Sequence, residues 1–229
     1  MTTRKLFAVV GTDARQAAAG RALARAGYAV GGAEQVALAD YILLPLPLDA
    51  ARTPLAELLR AAKPGALALG GRLSVEAKTI AQQAGVELVD YFPRPELAVY
   101  NAIPTAEGCI GILLRQRTRT LWGENLLLPG FGPVGQALGV RLAALGTNVT
   151  VCAEQRALAQ SLGLRAAPLQ SLAALAPAFD TVVNTIPAAV LTAPVLERLR
   201  PGSLIVDLAS KPGGTDFAAA QRLGHRAIH

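Results

Sequence analysis

Histidine is almost missing from this chain, and both copies, His225 and His229, fall at the C-terminal end. A histidine-based zinc site or a Ser–His–Asp arrangement is therefore not expected, and no metal site is read. Cysteine is equally scarce. Cys109 and Cys152 stand in neither metal nor redox spacing, which points to a reducing, cytoplasmic setting. Aromatic residues make up 4% of the chain and do not alternate with basic ones, so base stacking on a nucleic acid has no support. No apolar run reads as long enough to cross a membrane. Met1-Thr2-Thr3-Arg4-Lys5-Leu6 leads into a strand without a signal-peptide pattern.

Charged residues are 17% of the chain and sum to +6. Arg115, Arg117 and Arg119 form the dense basic cluster. They are read as the end of a helix, where cations are favoured, rather than as a nucleic-acid patch. The remaining surplus suits small anionic ligands.

Hydrophobic residues make up 52% of the 229, enough for one large core or two small ones. The chain is organised around one turn, Leu126-Leu127-Leu128-Pro129-Gly130-Phe131-Gly132-Pro133-Val134-Gly135. Asn125 and three leucines read as a buried strand, a helix follows to about Leu145, and 147–152 reads as a second strand. This order is what a dinucleotide fingerprint requires. Gly130 suits a tight turn, Gly132 a close approach to pyrophosphate, and Gly135 close packing of helix on strand. Pro133 fits the first helical turn, and Val134 continues it. A turn of the same shape that binds nothing stays open as the alternative.

Around the turn, strands and helices alternate. Strands are read at 5–11, 28–31, 41–47, 66–69 and 86–89, with helices capped by Thr12-Asp13, Thr53-Pro54 and Ser74. A linker-like stretch follows at 94–104, and Thr105 caps a connecting helix to about Arg117. Beyond the glycine turn come strands near 164–166, 180–185, 203–208 and 226–228, with helices near 154–162, 192–200 and 216–223. The expected fold is α/β: two doubly wound parallel-sheet, Rossmann-like domains at 1–97 and 121–229, with a linker helix in 98–120 and a cleft between them. Expected lining includes 11–15, 45–47, Asn101 and Thr105 on one side, and the glycine turn, 185–187 and 210–214 on the other.

Four stretches carry a family resemblance. They are Val10-Gly11-Thr12-Asp13-Ala14-Arg15-Gln16, Tyr100-Asn101-Ala102-Ile103-Pro104-Thr105-Ala106-Glu107-Gly108, Asn184-Thr185-Ile186-Pro187, and the run from Asp207 through Ala209-Ser210-Lys211-Pro212-Gly213-Gly214 to Phe217. With the glycine turn, they resemble the dipicolinate synthase A subunits. The resemblance implies NAD(P)-linked oxidation of dihydrodipicolinate to dipicolinate during sporulation, and a partner in the flavoprotein-like B subunit. The family runs on past the last strand into a long helix, whereas this chain stops at His229, so a homo-oligomer or partner contact is expected. Position 154 is Glu, where family members can carry Arg.

Such a reaction needs carboxylate binding and orientation of a ring more than a histidine. Arg15 and Arg94 are the arginine candidates, each equally readable as a surface residue. Asn101, Thr105, Ser210 and Lys211 are polar candidates, with capping or solvated-loop roles as alternatives. Glu107 is a candidate proton acceptor or simply a first-turn acid, and Asp13 a cap or a base. No catalytic base is assigned. On the cofactor side stand Gly130, Phe131, Gly132, Pro133, Val134, Gly135, Thr185, Ile186, Pro187, Ala209 and Ser210. Glu154, 24 positions after Gly130, suits a ribose and hence NAD; Arg156 suits the 2′-phosphate of NADP. Two other functions are weighed. A 2-hydroxy acid dehydrogenase normally needs a histidine acid/base in the cleft. A nucleotide-binding scaffold without catalysis needs none.

Overall fold

A computed structural model describes residues 4–48 and 53–229. The leaderless reading of Met1, Thr2 and Thr3 lies outside them. The chain divides into two units, Met1–Arg94 and Pro95–His229.

In the first unit, β1 (Leu6–Val9), β2 (Ala29–Gly31), β3 (Tyr41–Leu43), β4 (Leu67–Gly70) and β5 (Glu87–Asp90) pair in parallel, in the order β2-β1-β3-β4-β5. Three helices connect them: α1 (Ala14–Arg25), α2 (Leu55–Arg60) and α3 (Val75–Gln83). Asp13 caps α1 by accepting from the N–H groups of Arg15 at 2.7 Å and Gln16 at 3.0 Å. Ser74 caps α3 through the N–H of Ala77 at 3.1 Å. The α2 cap differs from expectation. Pro54 holds that position and no side chain caps the helix. Ala8, Ile42 and Ala68 from the strands meet Leu58 and Leu59 of α2 and Ala81 of α3 in one core.

The second unit opens with α4 (Pro95–Gln116). This corrects the linker reading, because Pro104 lies inside a continuous helix and Thr105 is no cap. The Thr105 hydroxyl instead donates to the carbonyl of Asn101 at 2.9 Å. Proline removes one helical N–H. A buried stripe of Ala102, Ala106, Cys109 and Leu113 runs straight past it and holds the helix together. At 22 residues α4 is also long and apolar enough to span a bilayer by length and composition, contrary to the sequence reading. Ala106, Cys109 and Leu113 pack into the second unit's core, so its apolar face has a protein partner.

The strands β6 (Asn125–Pro129), β7 (Asn148–Cys152), β8 (Arg165–Ala167), β9 (Thr181–Asn184), β10 (Leu204–Asp207) and β11 (Arg226–Ile228) form a parallel sheet in the order β11-β10-β9-β6-β7-β8. The connecting helices are α5 (Pro133–Ala144), α6 (Arg156–Ser161), α7 (Leu172–Leu175), α8 (Ala193–Leu196) and α9 (Phe217–Arg222). The helix expected over 192–200 is only the single turn α8. Strand alternation divides the core between the two faces. Leu126 and Leu128 join Leu138 and Leu142 of α5 on one face, while Leu127 joins Leu172, Leu196 and Ala219 on the other. Both units are thus doubly wound, as expected.

The arginine cluster is only partly a helix end. Arg115 lies in the last turn of α4, but Arg117 and Arg119 lie beyond it. Arg117 pairs with Glu124 at 3.0 Å and with Asp180 at 3.1 Å, and Arg119 reaches Asp180 at 2.7 Å. Glu124 is buried just before β6, and Asp180 is half-buried just before β9. Sunken carboxylates need such partners. Burial alone would raise Asp180, but Arg119 and Arg117 hold it below the usual carboxylate range.

Candidate functional site

β6 ends at Pro129 and the chain turns at Gly130, whose φ of +92° suits glycine. The Gly130 N–H donates to the Cys152 carbonyl at 2.9 Å, tying the turn to β7. A Cβ on Gly130 would collide with Thr185 and Ile186. At Gly135 a Cβ would stand 2.6 Å from the Gly130 carbonyl oxygen, so helix and turn fit only without a side chain. Gly132 is different. It is the N-cap of α5, and a Cβ there would meet nothing within 4 Å. Pro133 follows in the first turn, and Phe131 is buried beneath it. The first N–H groups of a helix have no partner within it. Open space therefore faces a helix N-terminus, the arrangement that accepts a phosphate. These residues fit a dinucleotide.

The strand order reverses between β6 and β9, where open α/β sheets bind ligands. Thr185, just past β9, donates its N–H and its hydroxyl to the Pro129 carbonyl at 2.9 and 3.0 Å. Thr185 and Ile186 thus back the glycine turn; Pro187 is exposed after them. Buried Asn184 donates to the Ile186 carbonyl at 3.0 Å and to Asp207 at 3.0 Å. Asp207 also accepts the N–H groups of Ala209 at 3.0 Å and Gly214 at 2.9 Å. One buried carboxylate therefore fixes the loop that carries Ala209 inward and Ser210 and Lys211 outward into solvent. The sequence reading gave Asn184 no role beyond its place in the resemblance. Its signal is a polar residue closing an otherwise apolar strand, as Asp207 closes β10.

Glu154 is exposed two residues past β7, and Arg156 opens α6. Asn101, Thr105 and Glu107 lie within α4, well past its first turn, so the capping and first-turn readings do not apply to them. Asn101 and Glu107 are exposed and Thr105 half-buried. Cys109 and Cys152 are inert: burial pushes their thiols up to about 12 and about 11. Each histidine ring is engaged by a backbone carbonyl, His225 with Leu196 at 2.9 Å and His229 with Ala209 at 3.2 Å.

In the first unit, a cavity of about 530 Å³ is lined by Arg15, Leu46, Pro47, Leu48, Gly71, Arg72 and Ser74. Asp13, the α1 cap, pairs with the cavity-lining Arg15 at 3.4 Å, and the Gln16 and Arg15 N–H groups hold its carboxyl below the usual range. Arg94 is exposed and does not line this cavity. Arg72 was not read from the sequence, and Ser74 was read only as a helix cap. The signal was Gly70-Gly71, a turn after a buried strand that places the next residues beyond the strand end.

No model of a known protein family matches the chain. A stretch of 154 residues, 66% of the chain, is 39% identical to the dipicolinate synthase A subunit of Bacillus subtilis (strain 168) and covers 52% of it. The chain spans about half the length of that curated relative. The crystal structure of the dipicolinate synthase A subunit from Bacillus halodurans is 28% identical, with a TM-score of 0.86, over 100% of this chain and 90% of that one. The chain is similar to the dipicolinate synthase A subunits in sequence and in fold. A Salmonella D-lactate dehydrogenase, 17% identical with a TM-score of 0.65 over 95% of this chain and 74% of its own, shares the fold. The chain thus shares the two-domain Rossmann-like fold of the dipicolinate synthase A subunits and of dehydrogenases.

Proposed function

We propose that the chain carries the NAD- or NADP-linked oxidation of dihydrodipicolinate to dipicolinate, as the A subunit of a dipicolinate synthase in the cytoplasm of a sporulating cell. The B subunit of that enzyme is its proposed partner. The observation that carries this reading is the open space before Gly132 at the start of α5, in a chain of which 154 residues are 39% identical to a protein of that name.

The reaction removes a hydride and a proton from a dihydropyridine ring and leaves an aromatic pyridine. The bound dinucleotide supplies the hydride acceptor, and the proton passes to solvent. Aromatisation favours the products, so the chain's own work is to bind carboxylates, orient the ring and exclude alternatives. Residues 130–135 are assigned to the pyrophosphate. Thr185, Ile186, Pro187, Ala209 and Ser210 are assigned to the rest of the dinucleotide. Glu154 favours the ribose of NAD, and Arg156 the 2′-phosphate of NADP. Arg15, Arg94, Asn101, Thr105, Glu107, Ser210 and Lys211 are the proposed substrate residues, with Asp13 positioning Arg15.

The test is the absorbance of NADH or NADPH on mixing the chain with freshly generated dihydrodipicolinate, with and without the B subunit. Reduced dinucleotide in either mixture is the expected result. None in both overturns the reading and leaves a nucleotide-binding scaffold.

A further inference from the structure

The lining of the first unit's cavity includes none of the residues assigned to the dinucleotide. Its lining follows β1, β3 and β4, at the point where the order β2-β1-β3-β4-β5 reverses. Ligands bind open α/β sheets at such points. Leu46, Pro47 and Leu48 give it an apolar wall, and Arg15 and Arg72 give it positive charge.

Arg72 carries an independent sign. Its φ is +55°, the sole non-glycine residue in the left-handed region among the described residues. Side chains adopt that region at a cost, and such strain gathers at functional sites. Asp90 holds the strained segment by accepting the N–H groups of Leu73 at 3.0 Å and Phe92 at 2.9 Å. Burial alone would raise the Asp90 carboxyl; these N–H groups, with that of Arg72, hold it below the usual range. The Arg72 guanidinium lies over the Phe92 ring, 4.8 Å from its centroid. A cation over a ring face is held without using its N–H donors, which stay available to a ligand. Glycine would suit this backbone better, so the arginine serves something other than the turn.

We propose that Arg72 is a specificity-determining residue that receives one carboxylate of a cyclic dicarboxylate, beside Arg15, with the ring against Leu46, Pro47 and Leu48. The identity of that dicarboxylate rests on the dipicolinate reading. A guanidinium meets a carboxylate through two parallel hydrogen bonds, which an ammonium cannot copy.

The test titrates dipicolinate into the full chain by calorimetry, with and without NAD+, for the parent, Arg72→Gly and Arg72→Lys. Arg72→Gly removes the side chain and relaxes the backbone. It is expected to melt no lower than the parent, to keep its NAD+ affinity, and to bind dipicolinate at least tenfold more weakly. Arg72→Lys is expected to be weakened as well. If the parent binds dipicolinate and both variants bind within twofold of it, the Arg72 assignment is overturned while the dipicolinate reading stands. If the parent itself shows no dipicolinate binding at millimolar concentration, the dipicolinate reading fails, and this assignment with it.

Discussion

Gly132 and Gly135 lie three residues apart in the same turn, and the same substitution is expected to act on them in opposite ways. At Gly132 an added methyl meets no atom within 4 Å, and the φ of −71° suits any residue. Alanine is a poorer N-cap than glycine, at roughly 0.5–1 kcal/mol. It also restricts the unfolded chain, which returns about 0.4–1 kcal/mol. These nearly cancel, so Gly132→Ala should melt within a few degrees of the parent, at roughly 2–4 °C per kcal/mol. Its methyl occupies the space in front of the helix N-terminus. Losing a single charge-assisted hydrogen bond to phosphate costs about 1.5–3 kcal/mol. Dinucleotide affinity should then fall about tenfold to a hundredfold. At Gly135 the methyl would sit 2.6 Å from the Gly130 carbonyl oxygen. Backbone must move, and overpacking of this kind costs about 1–3 kcal/mol, so Gly135→Ala should melt several degrees lower. Thermal melts and NADH fluorescence titrations read both effects. An unchanged dinucleotide affinity in Gly132→Ala would refute the assignment of this turn to the pyrophosphate.

Other residues give further expectations. Asp207→Ala strands the buried donors of Asn184, Ala209 and Gly214; at about 1–3 kcal/mol for each unsatisfied group, it should lower the melting temperature and speed amide exchange across 209–214, and unchanged exchange there would count against the anchoring role. Glu154→Arg removes a negative charge from the exposed residue past β7 and should raise the NADP-to-NAD affinity ratio; a fixed ratio would place the ribose elsewhere. Asp40 has its carboxyl held low by the Leu6 N–H, then by Lys63 and Lys5. A depressed folded pKa gives stability that is present above the ordinary carboxylate value of about 4 and lost as pH falls through the folded one. Asp40→Asn should therefore melt below the parent at pH 7, with the gap closing as the pH is lowered below about 4. A gap that persists unchanged in acid would show that the carboxylate charge is not what matters.

The parallel sheets were legible because each buried strand is a short apolar run bounded by glycine, proline or a cap. Leu126-Leu127-Leu128 between Asn125 and Pro129-Gly130 shows how little else is needed. The glycine turn was legible at Gly130 and Gly135, because the constraint there lies in local backbone and in what a Cβ would strike. Pro104 misled for a related reason. Local rules read proline as a boundary, yet the stripe from Ala102 to Leu113 is buried against residues far along the chain, and that burial outweighs one missing N–H.

Arg72 was illegible for a different reason. Alternation of strands and helices establishes that a sheet is parallel, but strand order decides which loops become neighbours. Only when β3 lies between β1 and β4 do the loops carrying Arg15, Leu46 and Arg72 surround one cavity. An arginine after Gly70-Gly71 is otherwise one basic residue among 22. What distinguishes it is a backbone angle and a stacked ring, both set by Asp90 and Phe92 at the end of β5 and just beyond it. The same logic applies to Asn184 and Asp207, which meet only because β9 and β10 are adjacent. Residues that make a turn can be read from their neighbours in sequence, whereas residues that make a site depend on the order of the strands beneath them.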